Sequence, residues 1–151
     1  MEVFMLAQKS RHDPVDLVEN MLTVALFLLG DPEASKPSVS GYMPVLLLND
    51  LRIIIYEYRY MSLEGEVRVY ETIWDKDREF GKIMHGCMRD AHQKYFPKED
   101  RADLLHIVST AIKSISHTPP QIPEGENISR LIGFFRHMKR TAAMYRENRQ
   151  L

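Results

Sequence analysis

The sequence predicts an α+β fold, a small antiparallel sheet packed with about four helices, and three observations carry that expectation. β-branched and aromatic residues crowd the middle of the chain with an alternating pattern. Stretches with apolar residues at three-to-four spacing lie before and after that region, and segments rich in Pro, Gly and Ser separate them.

The first element is a helix expected over 14–29. Asp13 is placed to cap it, Pro14 suits its first turn, and Asp16 and Glu19 complement the positive end of the helix dipole. From Met21 onward nearly every face is apolar, which predicts a central, buried helix. Gly30 and the stretch "DPEASKPSVSG" then carry the chain through a loop to Tyr42.

The next segment, "MPVLLLNDLRIIIYEYRY", reads two ways. Leu47, Leu51, Ile54, Ile55 and Tyr58 would line one face of a helix, whereas the crowding from Ile53 to Tyr60 suits a strand. Over 44–51 both readings stand, with a third strand near 44–49 as the β alternative. From Arg52 the alternation of Ile54, Tyr56, Tyr58 and Tyr60 with Glu57 and Arg59 has a period of two, and Val67, Val69 and Ile73 continue it after "SLEGE". A hairpin of 52–61 and 66–74 is therefore expected, with helices covering its apolar face because two strands alone are barely stable in water.

Asp75 or Asp77 caps the next expected helix, 76–96, whose inward residues are Phe80, Ile83, Met84, Cys87, Met88, Ala91 and Tyr95. A further helix over 99–116 buries Leu104, Leu105, Val108, Ala111, Ile112 and Ile115. "HTPPQIPEGE" interrupts it, and a last helix over 127–147 turns Ile128, Leu131, Ile132, Phe135, Met138 and Ala142 inward. Residues 1–151 read as one domain without an internal repeat.

Composition narrows the function classes. The chain has 151 residues, 44% hydrophobic and 27% charged, with a net charge of −1. No whole-molecule field would drive it onto nucleic acid or an anionic membrane, so any such contact needs a local patch. The single cysteine, Cys87, makes no intramolecular disulfide, and no signal peptide is recognisable, which predicts an intracellular, cytoplasmic or nuclear, protein that is not secreted. The longest apolar run, "MLTVALFLLG", is about half of a transmembrane span.

Catalytic and metal chemistry find little support. Asp75, Asp77 and Glu79 alternate without the further oxygen ligands of a calcium loop, and helix capping explains them. His85, Cys87 and His92 are close in sequence, but on a helix Cys87 projects with Met84 and Met88 while His85 points about 200° away. An apolar neighbourhood makes Cys87 inert. His106 and His117 lack a partner at a defining spacing, and no Gly-rich phosphate loop or nucleophile elbow occurs. The expectation is a protein that is not an enzyme and needs no cofactor or metal.

The last helix carries the candidate binding residues. Between Asn127 and Leu151, Arg130, Arg136, Lys139, Arg140, Arg146 and Arg149 stand against one acid, Glu147. At about 100° per residue, Arg130, Arg136, His137 and Arg140 fall together opposite Leu131, Phe135 and Met138. A solvated outer face explains these cations; the functional alternative is contact with the phosphates of RNA or lipid headgroups. Tyr56, Tyr58, Tyr60 and Tyr70, interleaved with Arg52, Arg59 and Arg68, are explained by cross-strand packing more readily than by base stacking.

"LEGEVRVYETIWDKDREF" resembles the central hairpin of rhabdovirus matrix proteins. The likeness lies in "LEGE", a following tyrosine and "TIWDKDREF", with Thr72, Ile73, Trp74, Asp75 and Asp77, and Glu79 with Phe80, matching family residue types, and with "LRIIIYEYRY" as the preceding strand. The resemblance covers roughly 30 residues and lacks the family's basic amino-terminal arm and its Pro-Pro-x-Tyr budding motif. It implies a viral structural protein of the virion that associates with itself and bridges nucleocapsid and membrane, with any anionic contact moved to the C-terminal helix. The alternative is a helical adaptor or regulatory module that binds protein partners, and RNA, through that same helix.

Overall fold

The computed structural model of the chain describes residues 13–39, 41–60, 73–123 and 125–149, and these form five α-helices and one 3₁₀ turn. They are α1 (Pro14–Leu28), α2 (Met43–Tyr60), α3 (Arg78–Tyr95), α4 (Arg101–Ile115) and α5 (Glu126–Arg149), with the 3₁₀ turn Ile73–Lys76 ahead of α3. Among the described residues there is no strand, so the fold is all-α and the expected α+β class is corrected.

The correction falls on one element. The third strand over 44–49 and the first hairpin strand, 52–61, are replaced by the continuous helix α2. Of the second strand, 66–74, residues 66–72 lie outside the described residues, while Ile73 and Trp74 begin the 3₁₀ turn. Helix wins because Leu47, Leu48, Leu51, Ile54, Ile55 and Tyr58 make a buried stripe at three-to-four spacing, and tertiary burial outweighs a local β preference spanning only ~1 kcal/mol. Glu57, outward-facing under the alternation, is buried, and Tyr56 is exposed.

The other boundaries follow local chemistry. The Asp13 carboxylate accepts from the amide of Val15 at 2.9 Å and Pro14 opens α1. Asp77 accepts from the amide of Phe80 at 3.0 Å to start α3, and Asp100 from that of Asp103 at 2.8 Å to start α4. At the end of α1, Gly30 takes φ = +84° while the amide of Asp31 donates to the carbonyl of Leu26 and that of Gly30 to Phe27. This is a Schellman stop, and it sets Asp31 at the top of the helix.

Helix α5 packs between α3 and α1; α1 also packs on α2, and α2 on α4. The spatial order is therefore α3, α5, α1, α2, α4. α1 accordingly buries Val15, Val18, Met21, Leu22, Val24, Ala25 and Leu26, as a central helix must. Trp74 seals the side of α3: its indole N–H donates to Glu57 Oε2 at 3.0 Å, and its ring meets the edges of Phe80 and His85.

Candidate functional site

Four of the candidate cations on α5 are engaged by carboxylates from other elements. Arg149 spans both oxygens of Asp13, at 2.6 and 3.1 Å, and Arg146 pairs with Asp16 and with Glu19 at 2.7 Å. Arg136 grips Asp31 through two guanidinium nitrogens, Nε at 2.9 Å from Oδ2, and reaches Glu33 at 3.2 Å. Arg130 bonds Glu99 at 2.8 Å and lies 4.6 Å over the Phe96 ring. The guanidiniums of Arg136 and Arg149 hold the Asp31 and Asp13 carboxyls below their ordinary range, against the opposing effect of burial.

The expected grouping of Arg130, Arg136, His137 and Arg140 is thus divided between neighbours. Arg130 goes to the α3–α4 turn, Arg136 to the loop after α1, and His137 is half-buried against α3. Burial and Arg140 hold the His137 imidazole below its usual value. Lys139 and Arg140 have no carboxylate partner among the described residues, and together with Arg136 they line a groove of about 320 Å³. Its opposite wall is Leu26, Asp31, Glu33 and Ala34, and Ala143 extends the floor. Among the described residues it offers two cations without a carboxylate partner, beside the apolar Leu26, Ala34 and Ala143, while Asp31 and Glu33 in the same wall are held by Arg136.

A second recess, of about 440 Å³, lies where the C-termini of α2 and α3 meet the start of α4. Tyr58, Arg89, His92, Gln93, Phe96, Pro97, Glu99 and Arg101 line it. The His92 ring is fixed at both ends: Nε2 lies 2.6 Å from the carbonyl of Glu99 and Nδ1 2.7 Å from the Tyr58 hydroxyl. A carbonyl only accepts, so Nε2 carries the proton, and in the neutral imidazole Nδ1 accepts from Tyr58. Arg101 stacks 4.9 Å over the Tyr58 ring and donates to the Tyr58 carbonyl at 3.4 Å. Sequence reasoning missed this cluster because it placed Tyr58 on a strand. The helical spacing of Arg89 and Gln93 was the available signal, but nothing in sequence joins them to Tyr58 or Arg101.

Three buried ionisable groups belong to the core. Burial pushes the Glu57 carboxyl up to about 8 and Asp50 up to about 7, while it pulls the His85 imidazole down to about 4. The Cys87 thiol is pushed up to about 11 by burial, which leaves it a poor nucleophile at neutral pH. No group of three or more His, Cys, Asp or Glu side chains among the described residues is arranged to hold a metal ion. No helix among them is long and apolar enough to cross a membrane. No protein family matches the chain, and neither curated proteins nor solved structures yield a match.

Proposed function

We propose that this protein is a non-enzymatic helical adaptor that binds an acidic segment of a protein partner in the groove between α5 and the loop after α1. The observation that carries this reading is the division of labour along α5. Arg130, Arg136, Arg146 and Arg149 are engaged by the chain's own carboxylates, which leaves Lys139 and Arg140 facing a groove lined by Leu26, Ala34 and Ala143 and by Asp31 and Glu33, whose carboxylates Arg136 binds. Two cations beside apolar surface suit an acidic amphipathic peptide. An extended polyanion or lipid surface draws on many phosphate contacts, and most of the candidate cations are already neutralised.

The matrix-like alternative rested on a hairpin whose first strand is helix α2. One comparison separates the readings. Fluorescence anisotropy with a labelled peptide alternating Glu and Leu at helical spacing, and with a labelled single-stranded RNA, is set beside flotation on phosphatidylserine vesicles. Each is measured for the native protein and for Lys139→Glu/Arg140→Glu. The adaptor reading expects peptide binding that falls at least tenfold in the double variant, with weak binding to RNA and vesicles. Vesicle flotation stronger than peptide binding would return the case to a membrane-associated assembly protein.

A further inference from the structure

The groove between α5 and the loop after α1 already holds carboxylates of the protein's own, and the way each is held says what a partner must bring. Arg136 meets the two acids of that loop on different terms. Asp31 is buried, its carboxylate bridges Nε, at 2.9 Å, and Nη2 of Arg136, and its Oδ1 accepts from the amide of Glu33 at 3.0 Å. The Asp31 carbonyl accepts from the amide of Ala34 at 3.0 Å, so the backbone that carries Glu33 is fixed by a turn. The Glu33 carboxylate is held far less: its side chain is 76% exposed, and its ion pair is a single contact with Arg136 Nη2 at 3.2 Å.

Those terms separate a permanent partner from an exchangeable one. A two-pronged guanidinium pair with a buried carboxylate is strong and sets the orientation of the fork, whereas an exposed single contact contributes little and opens readily. Arg136 Nη1 meets no carboxylate among the described residues, and Lys139 and Arg140 follow within one turn, so three cations line about 6 Å of α5. With Glu33 in place the groove sets three cations against two carboxylates. With Glu33 turned out to solvent it sets three against one, and an incoming acid finds both a vacated donor and a stronger field. Ala143, a turn beyond Lys139 and Arg140, adds a small side chain past which an apolar group can approach.

We infer that Glu33 is an internal stand-in for the partner's acid. A helical peptide with two carboxylates one turn apart displaces Glu33 from Arg136 and pairs with Arg136 and Arg140, while Asp31 stays bound and keeps the Arg136 fork aimed into the groove. The inference rests on the adaptor reading and adds to it the spacing of the partner's acids and the residue of this chain that limits its affinity. The spacing follows from α5 itself. Arg136 and Arg140 are four residues apart on one face, and a second helix lying alongside matches them with acids at the same interval.

The test is fluorescence anisotropy of the full chain with two labelled helical peptides of one composition, Leu, Ala, Gln and two Glu. The acids stand four residues apart in the first and two apart, on opposite faces, in the second. The first should bind the native protein more tightly. Glu33→Gln should tighten that binding roughly fivefold, the upper range of an exposed ion pair, and the gain should vanish in 1 M salt. Glu126→Gln makes the same change of charge at an exposed position ten residues before Arg136 and should leave the affinity unaltered. In carboxyl-carbon NMR the Glu33 signal should move toward that of a solvated glutamate as peptide is added. Equal affinity of the two peptides, no tightening in Glu33→Gln, equal tightening in Glu126→Gln, or a Glu33 signal that stays put at saturation would overturn the stand-in role. The adaptor reading is decided separately, by whether Lys139→Glu/Arg140→Glu loses the first peptide, and failure of both native protein and Glu33→Gln to bind either peptide would sink the two together.

Discussion

Glu57 shows how one side chain can be legible in sequence and still be misjudged. Its alternation with Tyr56 and Tyr58 suggested an outward carboxylate; on a helix it turns inward to accept from the Trp74 indole at 3.0 Å, with burial pushing its carboxyl up to about 8 from an ordinary value of 4.5. The folded state therefore holds this proton more tightly than the unfolded chain. Below pH ~4.5 both states are protonated and the full stability is present, and as pH rises toward 8 the unfolded chain gains the ionisation that the folded one resists. Stability from this group falls over that window. Asp50, raised to about 7, slopes the same way, while His85, lowered to about 4, slopes oppositely. Glu57→Gln keeps an acceptor for the indole and removes the titration, and both other groups remain in the variant. Urea midpoints read from Trp74 emission at pH 5 and pH 8 should drop more for the native chain than for Glu57→Gln. Equal drops would mean that Glu57 ionises in the folded protein without cost.

At the scale of elements, α1, α3, α4 and α5 were readable because apolar periodicity agreed with a boundary signal in each: Asp13 with Pro14, Asp77 ahead of Phe80, Pro97 ahead of α4, and the Pro-rich segment before α5. In α2 they disagreed. Ile53, Ile54 and Ile55 satisfy either period, no strong cap precedes Met43, and only the burial of Leu48, Leu51, Ile55 and Tyr58 against other helices settles the matter. The candidate site was partly legible for the same reason. The cations of α5 could be named from sequence, but their carboxylates lie on α1, on the loop after it and in the α3–α4 turn. The junction before α3 supplies a sharper test of packing. A Cβ on Gly81 would lie 2.9 Å from Cβ and Cγ of Trp74, inside any normal contact. Replacing a helical glycine by alanine ordinarily gains up to ~1 kcal/mol, whereas forcing atoms into a filled core costs about 1–3 kcal/mol. The clash should win, so Gly81→Ala should lower stability by about 1–2 kcal/mol and red-shift Trp74 emission. A stabilised variant would show that the 3₁₀ turn moves aside freely.

The whole molecule is closed by its first and last described helices. α5 runs antiparallel to α1, with Arg149 on Asp13, Arg146 on Asp16 and Glu19, and Arg136 on Asp31. On the other side of α5, the Tyr145 hydroxyl donates to Asp77, the residue that caps α3. A helix held on two sides in this way presents a fixed surface, and the α5 groove depends on its staying in place. The ion pairs are partly exposed, so each contributes modestly, and their value lies in register more than in bulk stability. Asp13 and Asp31, lowered mainly by Arg149 and Arg136, add stability that is present above their ordinary values and is lost as pH falls through the lowered ones. For the pair at the middle of this seam, a double-mutant cycle on Asp16→Arg and Arg146→Glu measures the coupling directly. Each single change places like charges together and should destabilise, and the swap should recover part of the loss, with a coupling of ~0.5–1 kcal/mol at low salt that shrinks in 1 M salt. Strict additivity at low salt would mean that apolar packing alone aligns α5, and the groove at Lys139 and Arg140 would then keep its shape when the seam is broken.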